Sequence, residues 1–235
     1  MKKLDMQMKP ITNFRTSEAY KAVRSNLMFL GNDIKALVFT SSVENEGKTT
    51  VAWNVAVSLA QSGKSVIFID ADMRKSVFSG RHRITTNTVG LSEFLSDQAS
   101  LNDVIYSTDV EKLYVITSGP FPPNPSELLS RPVFGEAIKA LKETFDYVII
   151  DAPPIAATTD PAVISSVCDG TILIIGSKKV AARIIKEGID QLEKSGKPVL
   201  GAILNLVDYK YLYTGYGKYY GKYYGYDKTS DEKDA

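Results

Sequence analysis

Six short apolar runs punctuate the chain: ALVFT at 36–40, SVIFID at 65–70, LYVIT at 113–117, YVIID at 147–151, TILII at 171–175 and VLGAILN at 199–205. Each is nearly continuous rather than alternating, the pattern of strands buried on both faces. Between them lie longer segments with helical spacing, among them TTVAWNVAVSLAQSG and SELLSRPVFGEAIKALKETF. Strands alternating with helices predict an α/β fold, a mainly parallel sheet with helices on both faces. SEAYKAVRSNLMFL reads as a further helix, capped by Ser17, with Ala19, Val23 and Leu27 or Leu30 on one face. Gly63 and Gly196 follow the last turns of predicted helices, where a left-handed residue is often needed. Trp53 lies on an apolar helix and is expected in the core.

The two ends break this pattern. Residues 1–15 show no periodicity and are expected to form a flexible leader, leaving 16–207 as the folded domain. From 208 to 235 the composition changes abruptly: nine of the thirteen tyrosines fall between Tyr209 and Tyr226, where the only aliphatic side chain is Leu212. With glycine spacing and nothing to bury, this low-complexity tail is expected to be disordered.

Bulk properties narrow the setting. The 235 residues suffice for a substantial core, and 44% hydrophobic with 23% charged residues is ordinary for a globular protein. A net charge of +1 points neither toward nor away from nucleic acid. The single cysteine, Cys168, excludes an internal disulfide, suits a reducing compartment and is expected to be buried beside a strand. No stretch approaches the roughly 18 apolar residues of a membrane span. The basic start has no apolar run behind it, so no signal peptide is expected. A cytoplasmic protein is the expectation, with any membrane attachment supplied by a partner.

Three stretches carry chemistry. FTSSVENEGKTT, from Phe39 to Thr50, follows the first main strand and precedes a helix. Its Gly47-Lys48-Thr49 matches the end of a phosphate-binding loop, although Ser42 stands at the consensus first glycine. Backbone amides from Ser42 through Glu44, Asn45, Glu46 and Gly47 to Thr50 would cradle phosphates. Lys48 would reach the outer phosphates, and the Thr49 hydroxyl would hold Mg²⁺. In VIFIDADMR, Asp70 and Asp72 stand at the C-terminal end of a strand, where open parallel sheets bind ligands. A solvated loop with a salt bridge to Arg74 is the plainer alternative. In DYVIIDAPP, Asp151 directly follows an apolar strand, the position of an acidic Mg²⁺ holder. Together they imply ATP with Mg²⁺.

This order of motifs, with the tyrosine cluster at the end, resembles the bacterial tyrosine kinases that govern capsule and exopolysaccharide synthesis. GPFPPNPSELLSRPVF, from Gly119 to Phe134, resembles another segment of that family. The chain looks like the separate cytoplasmic kinase subunit of Gram-positive bacteria. The resemblance implies an ATP-dependent protein-tyrosine kinase with Lys48, Asp70 and Asp72 as catalytic residues, Asp70 accepting the tyrosine proton. It places Mg²⁺ near Thr49, Asp72 and Asp151, directly or through water, with the division among the three carboxylates open. The acceptors it implies are Tyr209, Tyr211, Tyr213, Tyr216, Tyr219, Tyr220, Tyr223, Tyr224 and Tyr226. It also implies autophosphorylation between subunits of a ring, a membrane-anchored activator of the chain-length-determinant type that recruits the kinase to the inner face of the membrane, other tyrosine substrates and a cognate phosphotyrosine phosphatase. The ring motif appears as Glu18, Lys21 and Arg24, where lysine replaces an arginine and loses its bidentate fork. A local salt bridge on the helix is the alternative. Asn205 resembles an adenine-contacting position, with a strand-end turn equally open.

Other readings compete. A partitioning or cell-division-site ATPase would carry a signature lysine early in the loop, where this chain has Val43. A non-catalytic adaptor stabilised by nucleotide is another. Basic and aromatic residues in the tail could stack on single-stranded nucleic acid, but the preceding ATP site favours a phospho-acceptor. His82 is expected in a solvated loop, and no eukaryotic-type kinase motif is present.

Overall fold

The computed structural model describes residues 2–8, 11–84 and 88–208. All six apolar runs are strands: β2 (Ala36–Ser41), β3 (Val66–Asp70), β5 (Leu113–Ile116), β6 (Tyr147–Asp151), β7 (Gly170–Gly176) and β8 (Val199–Asn205). Two short strands, β1 (Lys2–Lys3) and β4 (Tyr106–Ser107), complete a sheet of order β1-β4-β5-β3-β6-β2-β7-β8. Among the described residues only the β4–β5 pair is antiparallel.

The two faces of β2 show why its run is unbroken. Ala36 and Val38 join one buried cluster, while Leu37 and Phe39 join the other. The first cluster lies under α4 (Leu91–Leu95), α5 (Leu101–Val104), α6 (Pro125–Leu129), α7 (Pro132–Thr144) and α8 (Asp160–Ser166). The second lies under α1 (Phe14–Met28), α2 (Lys48–Gln61) and α3 (Phe78–Arg81), with Trp53 edge-on to Phe68 and Phe78. A smaller cluster seats α9 (Ala182–Glu193) through Leu192 against Leu173 and Ile155. Cys168 is buried, and its thiol is far above the usual range because burial disfavours the thiolate. Gly63 and Gly196 adopt φ of 94° and 78°, as helix-ending glycines do.

Several local expectations are corrected. The supposed leader is partly built into the fold: Lys2 and Lys3 pair with Tyr106 and Ser107, and Leu4 and Met6 are buried. Three alternating apolar residues, Leu4, Met6 and Met8, are too few to register as a period. Helix α1 starts earlier than Ser17, capped by the Asn13 side chain, which accepts from the Thr16 amide at 3.1 Å. The helical segment 126–145 is two helices, because Arg131 before Pro132 is extended (ψ 142°). His82 is not solvated: it is buried, stacks near Trp53 and Phe78, and its Nδ1 bonds the Gln7 carbonyl at 3.0 Å. The N-terminal segment, absent from the sequence expectation for this region, is what covers it.

Candidate functional site

The C-terminal ends of β2, β3, β6, β7 and β8 converge on one side of the sheet, and the phosphate-loop sequence lies there. Between β2 and α2 the loop bends through two left-handed residues, Asn45 (φ 63°) and Gly47 (φ 88°), the concave backbone in which amides collect an anion. A Cβ at Gly47 would lie 2.3 Å from Asn205 Nδ2, so both conformation and space require glycine. No acidic residue occupies the first turn of α2, which leaves the positive end of that helix suited to phosphate. Ser42, in place of a glycine, has a buried hydroxyl without a hydrogen-bond partner among the described residues. Gly188 of α9 passes so close that an added Cβ would sit 3.8 Å from Ser42 Oγ.

Four charges meet beyond the loop. Asp70 and Asp151 are paired in register on neighbouring strands, so their carboxylates emerge side by side. Lys48 Nζ lies 2.8 Å from Asp72 Oδ2, 3.7 Å from Asp151 Oδ1 and 3.4 Å from Thr49 Oγ1, with its side chain 12% exposed. Ser76 donates to Asp70 Oδ2, the Asp72 amide to Asp70 Oδ1 at 3.3 Å, and the Lys75 amide to Asp72 Oδ1 at 3.0 Å. Burial, followed by the Asp151 charge, pushes the Asp70 carboxyl up to about 7. Burial also raises Asp151, against the pull of Lys48. Burial alone would lower Lys48, but Asp151, Asp72 and Asp70 outweigh it and hold the ammonium charged.

The donor set fits a magnesium–nucleotide complex. Asp151 Oδ1 is buried and has no hydrogen-bond donor among the described residues, an oxygen well suited to a cation or to its water. The Thr49 hydroxyl lies at the same Lys48 ammonium. Among the described residues no three His, Cys, Asp or Glu side chains form a metal cluster of their own. Magnesium, which keeps waters and phosphate oxygens as ligands, does not need one.

The remaining predicted residues fall in different places. The Asn205 side chain donates to the Glu46 carbonyl at 2.8 Å. The Glu46 carboxylate is wholly buried and accepts from the Val43 and Gly176 amides, so a phosphate contact would come from its backbone. Glu44 pairs with Lys75 at 2.9 Å on the surface, and Thr50 Oγ1 accepts from Arg81. Arg74 does not bridge to Asp72, as the plain loop reading had it: its guanidinium binds Asp160 at 2.7 Å and Ser126 at 2.7 Å. Glu18 and Lys21 form an exposed pair at 2.7 Å, and Arg24 donates to the Ser58 carbonyl on α2 at 3.0 Å. The acceptor tyrosines from Tyr209 to Tyr226 lie outside the described residues. Sequence reasoning missed Ser76, Asp160 and Ser126; the last two bond through distant elements, and no spacing announces Ser76.

Comparison with known proteins agrees with this geometry. Residues 43–200 match the family described as AAA domain. The tyrosine-protein kinase CpsD of Streptococcus agalactiae is 42% identical over 206 residues, covering 87% of this chain and 90% of that protein. The kinase domain of the Escherichia coli tyrosine kinase ETK superposes with a TM-score of 0.77 at 35% identity, covering 81% of this chain and 75% of the other. The chimerical protein CapA2B2 gives a TM-score of 0.76 at 35% identity, over 81% and 84% of the two chains. The chain belongs to the P-loop tyrosine kinases of bacteria, of the type found with capsule synthesis.

Proposed function

We propose that the chain transfers the γ-phosphoryl group of ATP to tyrosine hydroxyls, first of all those between Tyr209 and Tyr226. The observation that carries this reading is the charged Lys48 held among Asp70, Asp72 and Asp151, beside an anion-binding loop. Loop amides and the α2 N-terminus bind the phosphates, and Lys48 moves from Asp72 to a terminal phosphate oxygen. Magnesium, when bound near Thr49, Asp72 and Asp151, neutralises charge on the β and γ phosphates. A tyrosine hydroxyl, with a pKa near ~10, is a poor nucleophile at neutral pH. Its oxygen attacks the γ-phosphorus, the bond to the β-phosphate oxygen breaks, ADP leaves, and the proton passes to Asp70. A base held at about 7 is matched to that work.

The tyrosines lie beyond β8, and a stretch of twenty residues can reach at most about 70 Å when fully extended. That reach allows transfer within a chain or to a neighbour; the family resemblance favours a neighbour in a ring through Glu18, Lys21 and Arg24. No helix among the described residues is long and apolar enough to cross a membrane. A membrane-anchored activator of the chain-length-determinant type, as the family resemblance implies, would recruit the chain to the inner face of the membrane. Other tyrosine substrates and a phosphotyrosine phosphatase complete the cycle, in the regulation of capsular or exopolysaccharide synthesis and export.

The test is replacement of the nine tyrosines from Tyr209 to Tyr226 by phenylalanine, with the activator co-expressed. Nucleotide binding should persist while phosphotyrosine on the kinase falls to a small residue. Undiminished self-labelling would overturn the acceptor assignment.

A further inference from the structure

Glu46 occupies the phosphate loop, yet its side chain is turned into the protein and is fully buried. Oε2 accepts from the Val43 amide at 2.9 Å, near the start of the loop, and Oε1 accepts from the Gly176 amide at 2.7 Å, at the end of β7. Its own carbonyl accepts from Asn205 Nδ2 at 2.8 Å, at the end of β8. The Ser177 amide in turn donates to the Asn205 carbonyl at 2.8 Å, closing the circuit between the two strand ends. The fit is tight: a Cβ on Gly176 would come within 3.4 Å of Glu46 Cγ. A carboxylate is demanded here because two N–H donors from different segments face its two oxygens, and a neutral amide can satisfy only one.

We propose that Glu46 is a positioning residue for the kinase reaction, fixing the curvature of the phosphate loop by fastening it to the ends of β7 and β8. Its carboxylate makes no contact with nucleotide. It acts through the loop amides, which must already point at the phosphates when ATP arrives if binding is not to spend free energy on ordering them. The effect therefore depends on phosphate and not on the base. The inference rests on the kinase reading of this site.

The experiment compares full-length wild type with Glu46→Gln by NMR titration against adenosine, Mg-ADP and Mg-ATP, together with thermal melting. Glutamine keeps the length but sets an NH₂ against one backbone N–H. Affinity for Mg-ADP and Mg-ATP should fall about tenfold, the equivalent of one buried amide left without an acceptor. Adenosine affinity should be unchanged. In activator-supported assays KM for ATP should rise by a similar factor with kcat nearly constant, and Glu46→Asp, too short to reach both amides, should not rescue it. Equal loss for adenosine, or unchanged Mg-ATP binding, would overturn the proposal. Should Glu46→Gln not fold, amide exchange in the wild type decides. Slow exchange at both Val43 and Gly176, slowed further by Mg-ADP, supports the fastening; rapid exchange at either without nucleotide overturns it. A wild-type chain that binds no Mg-ATP at all refutes the kinase reading itself, and the inference with it.

Discussion

Opposite ends of the same sheet each carry buried or half-buried carboxylates beside a lysine, and they are treated in opposite ways. At the N-terminal ends of β2 and β7, Asp169 accepts from the Lys35 amide at 2.9 Å, the Ala36 amide at 2.8 Å and the Lys142 ammonium. Burial opposes its charge, but those donors win and hold its pKa below the ordinary value. At the C-terminal ends, Asp70 and Asp151 have fewer donors, and their pKa values are raised by burial. One cluster is satisfied by the protein. The other has fewer donors, as the proposed binding of a cation and a proton-bearing substrate there requires. Stability resides at the first end, and the proposed chemistry at the second.

Three substitutions sharpen that contrast. Lys48→Met removes the proposed phosphate clamp and leaves three carboxylates without their cation. Phosphotyrosine formation with activator present should drop at least about 100-fold, measured by anti-phosphotyrosine detection. A variant that still labels itself strongly would erase the distinction.

Asp70→Asn should raise stability while removing activity. A carboxyl whose folded value is about 7, above the ordinary 3.8, binds protons more tightly in the folded state. Its ionisation therefore costs stability as pH rises through that window. In nucleotide- and magnesium-free protein at pH 8 the variant should melt about 5–10 °C above wild type, and the gap should close toward pH 4. Equal melting at both pH values would show that Asp70 is not strained by burial.

Asp169→Ala should do the reverse. Two amides and an ammonium lose their acceptor, a cost of about 2 kcal/mol. The melting temperature should fall by about 4–8 °C, with activity per folded molecule unchanged. A loss of activity larger than the loss of folded protein would join the two ends that the contrast separates.

The same contrast explains what could be read from the amino acids alone. Strands β2, β3 and β6 were legible because burial on two faces enforces unbroken apolar runs, and the acidic last residues of β3 and β6 mark the ligand side. Lys48, Thr49, Asp70, Asp72 and Asp151 followed from local order within three stretches. Partnerships between distant segments were not legible. Ser76 on Asp70, Arg74 on Asp160 and Glu46 on Gly176 are decided by how loops cross, and no residue pattern encodes that. The two-residue strands β1 and β4 and the short helices α3, α4 and α5 fall below the length at which a period can be recognised. Asp169 also escaped notice, since its donors come from Lys35 and Ala36 at the start of β2, more than a hundred residues earlier, and from α7.

The terminal strands of the sheet are unequal. On one side β1 is two lysines long, the kind of charged, abbreviated border that refuses a further strand, whereas β8 is seven residues long and shows Leu204 to solvent. A ribbon continuing from molecule to molecule needs two receptive borders, and the described residues offer one. Joining of subunits by sheet extension at that border would set β8 against β8 and make a pair.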